Sequence, residues 1–201
     1  MPRLAPAARR DAIIRATVDV MLDKGMAATT VRDVAEQMGS SSGLIHHYFA
    51  SMDDLLAAAF DRAAQHDLTG TREALARCSG GTERLSTFYA TYARAEQDWA
   101  FQLWLDAWAE AGRRPAVRQT TQRLNVAWQQ LLVQVIDSGV REGAMTCADP
   151  EGAAWRMLSM LDGLALQTVA HPGTVDRKAV VSWSVALAEQ ELGLPTGTLV
   201  R

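Results

Sequence analysis

Between Ser41 and Phe49 the chain carries side chains that could do chemistry on a surface: Ser42, Leu44, His46, His47 and Tyr48. If this stretch is helical, Ile45 and Phe49 lie one turn apart on a face that can be buried. The other face then presents compact hydrogen-bonding and aromatic groups in place of the Lys and Glu of an ordinary solvated helix. Groups of this size can read base edges or touch phosphates once a helix enters a major groove. Metal binding by His46 and His47 is the weaker reading, because adjacent helical residues point roughly 100° apart and no further ligand cluster accompanies them. A catalytic site needs a nucleophile with its base, paired carboxylates or a cofactor loop, and none is recognisable. No enzyme activity, catalytic residue, cofactor or metal is therefore expected.

The elements that must position this helix are legible on either side of it. Thr29-Thr30-Val31-Arg32-Asp33-Val34-Ala35, then Gly39, then the Ser41–Phe49 stretch follow the grammar of a helix, a tight glycine turn and a second short helix. Thr30 suits an N-cap, Asp33 suits the first turn near the positive helix end, and Val31, Val34, Ala35 and Met38 recur at helical spacing. Upstream, Ile13, Ile14, Val18, Met21 and Leu22 predict a helix from Arg10 to Lys24 that Gly25 stops. Downstream, Ser51 with Asp53 and Asp54 opens a long helix to about Arg77. Helices are predicted after Gly80-Gly81, from Asp98 to near Gly112, from Pro115 to Gly139, from Asp149-Pro150 to His171, and from about Asp176 to Leu192. That makes an all-α chain of about nine helices with no convincing strand and no repeat. The division expected is a helix-turn-helix domain at residues 1–50 and a larger helical domain at 51–201.

Length and composition bound the remaining readings. A chain of 201 residues can bury a proper core, and nearly half its residues are apolar, which suits packed helices. The apolar stretches Leu55 to Phe60 and Met157 to Leu166 are far short of a bilayer span. Arg3, Arg9 and Arg10 are not followed by the apolar run of a signal peptide, since Asp11 and Arg15 interrupt it, so a cytoplasmic protein without a membrane partner is expected. The two cysteines, Cys78 and Cys147, have no metal or CxxC spacing and read as ordinary reduced thiols. A net charge of −3 carries no global nucleic-acid signal, so the argument for DNA rests on local features, including the basic arm of Arg3, Arg9 and Arg10.

With those residues in view, the segment from about 10 to 60 resembles the DNA-binding domain of the TetR family of bacterial regulators. That family pairs a Thr-led helix with a Gly-turn, a Ser-x-Gly-x recognition helix ending in Tyr-Phe or a near variant, and an acid-led Leu-Leu. The resemblance implies a duplex operator as partner. It implies that Thr30 and Arg32 approach the phosphate backbone, that Ser42, Gly43, Leu44, His46 and His47 face the groove, and that Tyr48 hydrogen-bonds a phosphate. The sequence departs from the pattern at Ser42 and Met52, where the family often has Lys, and fewer phosphate contacts with a shallower salt dependence follow.

The later part, roughly 98 to 170, is similar to the choline-responsive repressors of the glycine-betaine pathway (BetI-like), through Trp104-Leu105-Asp106-Ala107-Trp108, Pro115 and Leu161-Asp162-Gly163-Leu164. This resemblance implies a ligand-responsive transcriptional repressor. A helical enzyme or a protein-binding adaptor retaining the fold is the alternative. Five of the six tryptophans, Trp99, Trp104, Trp108, Trp128 and Trp155, fall in the presumed sensing region. An aromatic wall of Phe101, Trp104, Trp108 and Trp128, with Asp162 or another acid such as Asp106 or Glu110, would suit a small organic effector such as a quaternary amine. The same aromatics at helical spacing would serve equally as packing. Asp162 inside an apolar helix is costly to bury unpaired, so it is either hydrogen-bonded or faces a pocket. The last two helices carry apolar residues on more than one face, including Met157, Leu158, Leu161, Leu164, Ala165 and Thr168, then Val180, Trp183, Val185, Leu187 and Ala188. They are therefore expected to form a homodimer through a four-helix bundle.

Overall fold

The computed structural model describes residues 5–92 and 98–199, and among them every regular element is an α-helix. In chain order these are α1 (Pro6–Lys24), α2 (Val31–Gln37), α3 (Ser42–Tyr48), α4 (Met52–Ala76), α5 (Gly81–Tyr92), α6 (Asp98–Ala111), α7 (Pro115–Arg141), α8 (Pro150–Ala170) and α9 (Arg177–Glu191). Arg3 of the expected basic arm lies outside the described residues. No described helix is long and apolar enough to cross a membrane.

Local chemistry accounts for most of the helix ends. The α1 helix begins at Pro6 rather than Arg10 because proline fits the first turn, where its missing N–H would have had no partner. It ends at Gly25, whose φ of +81° few other residues adopt without strain. Side chains cap four of the others: Thr30 accepts from the Asp33 amide at 3.2 Å, Ser51 from the Asp54 amide at 3.0 Å, Asp149 from the Gly152 amide at 2.9 Å, and Asp176 from the Ala179 amide at 2.6 Å. Each satisfies an amide that the helix itself cannot.

The chain divides into two compact units, each assembled from separate segments. One comprises the described residues of Met1–His66 with Gln102–Leu124; the other comprises those of Asp67–Phe101 with Asn125–Arg201. Both are discontinuous, unlike the contiguous division at residues 50 and 51 expected from the motif. In the first unit Ile13, Ile14, Val20, Val34, Ala35, Ile45, Phe49 and Leu55 form a core that joins α1, α2, α3 and the start of α4. In the second, Leu85, Phe88 and Tyr89 of α5, Leu132 and Ile136 of α7, Met157 and Leu161 of α8, and Val180, Val185 and Ala188 of α9 are buried.

Gly139 does not stop α7, which continues to Arg141. Its role is close approach: a Cβ built on Gly139 would stand 2.4 Å from the Met145 sulfur, and one on Gly81 would stand 2.5 Å from the Gly139 Cα. The second conflict is with backbone, which cannot swing aside. Gly81→Ala is therefore expected to lower the unfolding free energy by about 1–3 kcal/mol, the usual cost of overpacking, as read by urea denaturation followed by circular dichroism.

Candidate nucleic-acid interface and aromatic clusters

The α3 helix separates its side chains as the spacing requires. Ile45 and Phe49 are buried, whereas Ser42, Gly43, His46 and His47 are exposed and Leu44 and Tyr48 are half-buried. Tyr48 packs on the core and meets the His47 imidazole edge-on, with 5.1 Å between ring centroids. The face opposite the core is thus a surface of hydroxyl, imidazole and phenol groups.

The α2 helix is held at its entry by a reciprocal capping box. The Thr30 hydroxyl accepts from the Asp33 amide at 3.2 Å and donates to Asp33 Oδ2 at 2.6 Å, while the Thr30 amide donates to the same oxygen at 3.0 Å. Lys24 adds a 2.6 Å ion pair to Asp33 Oδ1. The hydrogen bond from Lys24, then that from Thr30, pulls the Asp33 carboxyl down to about 2. Both donors of Thr30 are engaged by Asp33, so a phosphate contact from Thr30 would compete with the cap. Arg32 is exposed on the same helix. Arg10 lays its guanidinium over the Phe49 ring, 4.8 Å from the centroid, and Arg9 beside it is half-buried.

The aromatic residues expected to line one wall fall into two clusters, one in each compact unit. In the first unit Trp104 packs edge-on against Phe60 at 4.9 Å and tilted against Trp108 at 5.3 Å. The acids of that helix have other partners. Asp106 accepts from the Met26 amide and from Gln102, and Glu110 pairs with Arg113 and Arg114. In the second unit Tyr92 stacks on Phe101 at 5.6 Å with planes 28° apart, and it also meets Phe88 and Trp128 at 5.1 and 6.4 Å. Arg177 lies over Phe101 at 6.0 Å, pairs with Asp98 and donates to the Tyr92 carbonyl at 3.0 Å.

Two carboxyl groups bear on this second cluster. Burial first, and then the charges of Asp67 and Asp162, push the Tyr92 phenol well above its ordinary value. Burial alone pushes the Asp162 carboxyl up to about 7. The Trp128 indole Nε1 is buried with no hydrogen-bond partner among the described residues. Of the five expected ligand residues, Phe101, Trp128 and Asp162 belong to this unit and Trp104 and Trp108 to the other. Phe88, Tyr92 and Asp67 were absent from the sequence expectation. Phe88 and Tyr92 have the same one-turn spacing as Trp104 and Trp108 and could have been found by it. Asp67, a lone acid within a long helix, carries no such signal.

A three-helix head that buries one side of a short polar-faced helix defines a helix-turn-helix protein of the kind that reads duplex DNA. Comparison with known proteins specifies the kind. Residues 13–59 match the model of bacterial regulatory proteins of the TetR family, and residues 81–193 match that of the C-terminal domain of BetI-type transcriptional repressors. The chain belongs to the TetR family and, within it, to the BetI-type transcriptional repressors. The HTH-type transcriptional regulator BetI of Rhizobium meliloti (strain 1021) is 30% identical over 90% of this chain and 86% of that one. The BetI regulator of Paraburkholderia phymatum is 29% identical over 86% of this chain and 87% of its own.

Among solved structures, a transcriptional regulator from Pseudomonas aeruginosa PAO1 superposes with a TM-score of 0.79 at 28% identity, covering 94% of this chain and 92% of that one. One from Saccharomonospora viridis, solved in complex with choline, superposes with a TM-score of 0.83 at 20% identity, covering 92% and 98%. Membership of this family makes the protein a DNA-binding transcriptional regulator and not an enzyme.

The capping box offers a direct check on the head. Thr30→Ala removes the hydroxyl that closes it and is expected to lower the unfolding free energy by about 1 kcal/mol, measured by urea titration at neutral pH.

Proposed function

We propose that the protein is a homodimeric repressor acting in the cytoplasm, that each α3 reads half of a palindromic operator, and that a small organic cation releases it. The observation that carries the DNA reading is the exposed face of α3, where His46, His47 and Ser42 stand clear of the core that holds Ile45 and Phe49. One seven-residue helix reaches only a few base pairs, so two-fold symmetry must supply the rest, with half-sites one duplex turn apart, about 34 Å. Leu44 and Gly43 complete the groove-facing surface, and Arg9, Arg10, Arg32 and Tyr48 supply the phosphate contacts. His46→Ala and His47→Ala are each expected to cost about 1–3 kcal/mol of operator binding and to relax base preference, whereas Tyr48→Ala weakens all duplexes alike. Electrophoretic mobility shifts on matched operator and scrambled duplexes check this, and unchanged operator binding in all three variants would refute the assignment of α3.

The last two helices support the dimer. Met157, Leu158, Leu161 and Ala165 of α8, and Val180, Val185 and Ala188 of α9, are already buried within one protomer, so of the residues expected at the interface Leu164, Thr168, Trp183 and Leu187 are the ones left accessible to a partner. The large apolar groups exposed on these helices are Trp155 and Leu166 on α8, 42% and 36% exposed, and Trp183 on α9, 50% exposed. Side chains of this size left in water on two adjoining helices are the signature of a covered face. Trp183→Asp is expected to shift the protein from dimer to monomer in sedimentation velocity at micromolar concentration.

The second aromatic cluster is the better candidate for the effector. Phe88, Tyr92, Phe101 and Trp128 offer ring faces for cation attraction, and Asp162 and Asp67 offer charge; in the other unit Trp104 packs against Phe60 and Trp108. The expected occupant is a quaternary amine such as choline. It can lower operator affinity only to the extent that it prefers the released conformation.

Asp162 gives this reading a pH signature. Its carboxyl titrates at about 7 in the folded protein, above its ordinary 3.8. The stability it contributes is therefore fully present below the ordinary value and lost as pH rises through about 7. A bound cation favours the ionised form, so choline affinity is expected to rise from pH 6 to 8 with release of a proton. Calorimetry in buffers of different ionisation enthalpy reads this directly. Asp162→Asn should flatten the profile, and equal binding of a neutral isostere would refute the cation cage.

A further inference from the structure

Two carboxylates that take no part in either candidate site fasten the reading head at both of its ends. Asp106 of α6 accepts the Met26 amide on Oδ2 at 2.9 Å, immediately after α1 and four residues before the Thr30 cap. Its other oxygen accepts from Gln102 at 2.9 Å, which fixes the orientation of the group. The site is shaped for this contact. Gly25 sits at φ +81°, and a Cβ there would stand 3.2 Å from Asp106 Oδ2, so the turn both requires glycine and leaves room for the carboxylate.

Beyond the reading helix, Asp53 in the first turn of α4 accepts the Ala116 amide at 3.1 Å, at the first turn of α7. Its other oxygen is buried without a hydrogen-bond partner among the described residues. The corner between α6 and α7 is itself closed, because the Glu110 carbonyl accepts from the amides of Arg113 and Arg114 and its carboxylate holds the Arg114 guanidinium at 2.7 Å. All of these residues belong to one compact unit.

The segment from Met26 to Asp53 contains α2 and α3 whole. It is thus tied at its entry to α6 and at its exit to α7, each time by a carboxylate on a backbone N–H. Such charge-assisted bonds are short, directional and about twice as strong as neutral ones. A backbone amide cannot rotate away as a side chain can, so a shift of the α6–α7 corner must move the head with it or break the bond. The Trp104-Leu105-Asp106-Ala107-Trp108 run therefore does two jobs: Trp104 packs against Phe60 of α4 and against Trp108, and the acid between the two tryptophans holds the turn before α2.

We infer that Asp106 and Asp53 are positioning residues that set the pose of the α2–α3 reading head from the α6–α7 corner. This rests on the reading of α3 as the DNA-contacting helix. The test uses the full-length protein and a duplex enriched from a random library by the wild type. Asp106→Ala is expected to lower affinity for the enriched duplex about tenfold or more, the scale of one hydrogen bond to a charged group, and affinity for a scrambled duplex about twofold at most. Hydrogen exchange at the Met26 amide should accelerate. Asp106→Asn, which keeps an oxygen toward Met26, should restore enriched-duplex affinity to within about threefold of wild type. Asp53→Ala should reproduce the loss of discrimination with faster exchange at Ala116. If Asp106→Ala weakens both duplexes equally, or leaves both unchanged while exchange at Met26 accelerates, the positioning role is overturned. If the wild type enriches no duplex, the DNA reading itself is overturned, and the inference with it.

Discussion

A seven-residue helix has no stability of its own in water, since nucleation alone costs more than so few internal hydrogen bonds return. The α3 helix is of that length, and everything that makes this protein a reader of surfaces depends on holding it. Burial of Ile45 and Phe49 against Ile13, Val34, Ala35 and Leu55 supplies the holding energy and at the same time commits the opposite face to solvent. The same constraint explains why the head draws on so many separate pieces. The α1 helix contributes Ile13, Ile14, Ala16 and Val20, α2 is pinned at its entry by Thr30, Asp33 and Lys24, and α4 adds Leu55. A helix that must present unpaired polar groups to a duplex cannot use those groups to stabilise itself, so its stability comes from the other side.

Charge is deployed locally for the same reason. The net charge is −3, yet several acids of the head are engaged in structural tasks. Asp33 caps α2, Asp11 takes Arg15 and Arg62, and Asp53 and Asp106 receive backbone amides. An acid engaged in this way presents less negative potential to an approaching phosphate backbone, and Arg10 and Arg32 are left exposed on that side. Asp162 is the contrasting case, a carboxyl whose ionisation is disfavoured by burial and whose charge bears on the Tyr92 phenol. Such a group is costly to charge without a counter-cation and favours one when it arrives.

The aromatic residues illustrate how far a one-dimensional pattern reaches. The i, i+4 spacing of Trp104 and Trp108 correctly implies that the two rings meet, and they do. The same spacing cannot say what lies on their far side, and that proves to be Phe60, forty-four positions earlier. Phe88 and Tyr92 carry an equal signal on α5 and join Phe101 and Trp128. Gly139 is a similar case. A glycine late in a helix reads as a stop, but the Gly81 backbone and the Met145 side chain that converge on it make it a contact glycine inside a continuing helix.

The sequence by itself determined the order and type of the helices, most of their ends, and the split of α3 into a buried and a presented face. These depend on residues within a few positions of one another: apolar groups at 3.6-residue spacing, caps such as Thr30 and Asp149, and glycine where φ must be positive. Family membership was legible for the same reason, because the helix-turn-helix motif is a contiguous run. Only the tertiary structure decided which aromatic residues share a cluster, which acids are engaged, and that residues 102–124 join the reading head rather than the rest of the later helices. Those outcomes depend on pairs separated by 63 or 80 positions, as in Asp53 with Ala116 and Asp106 with Met26. The spacing of side chains along a helix says which face they share; it does not say which distant backbone that face will meet.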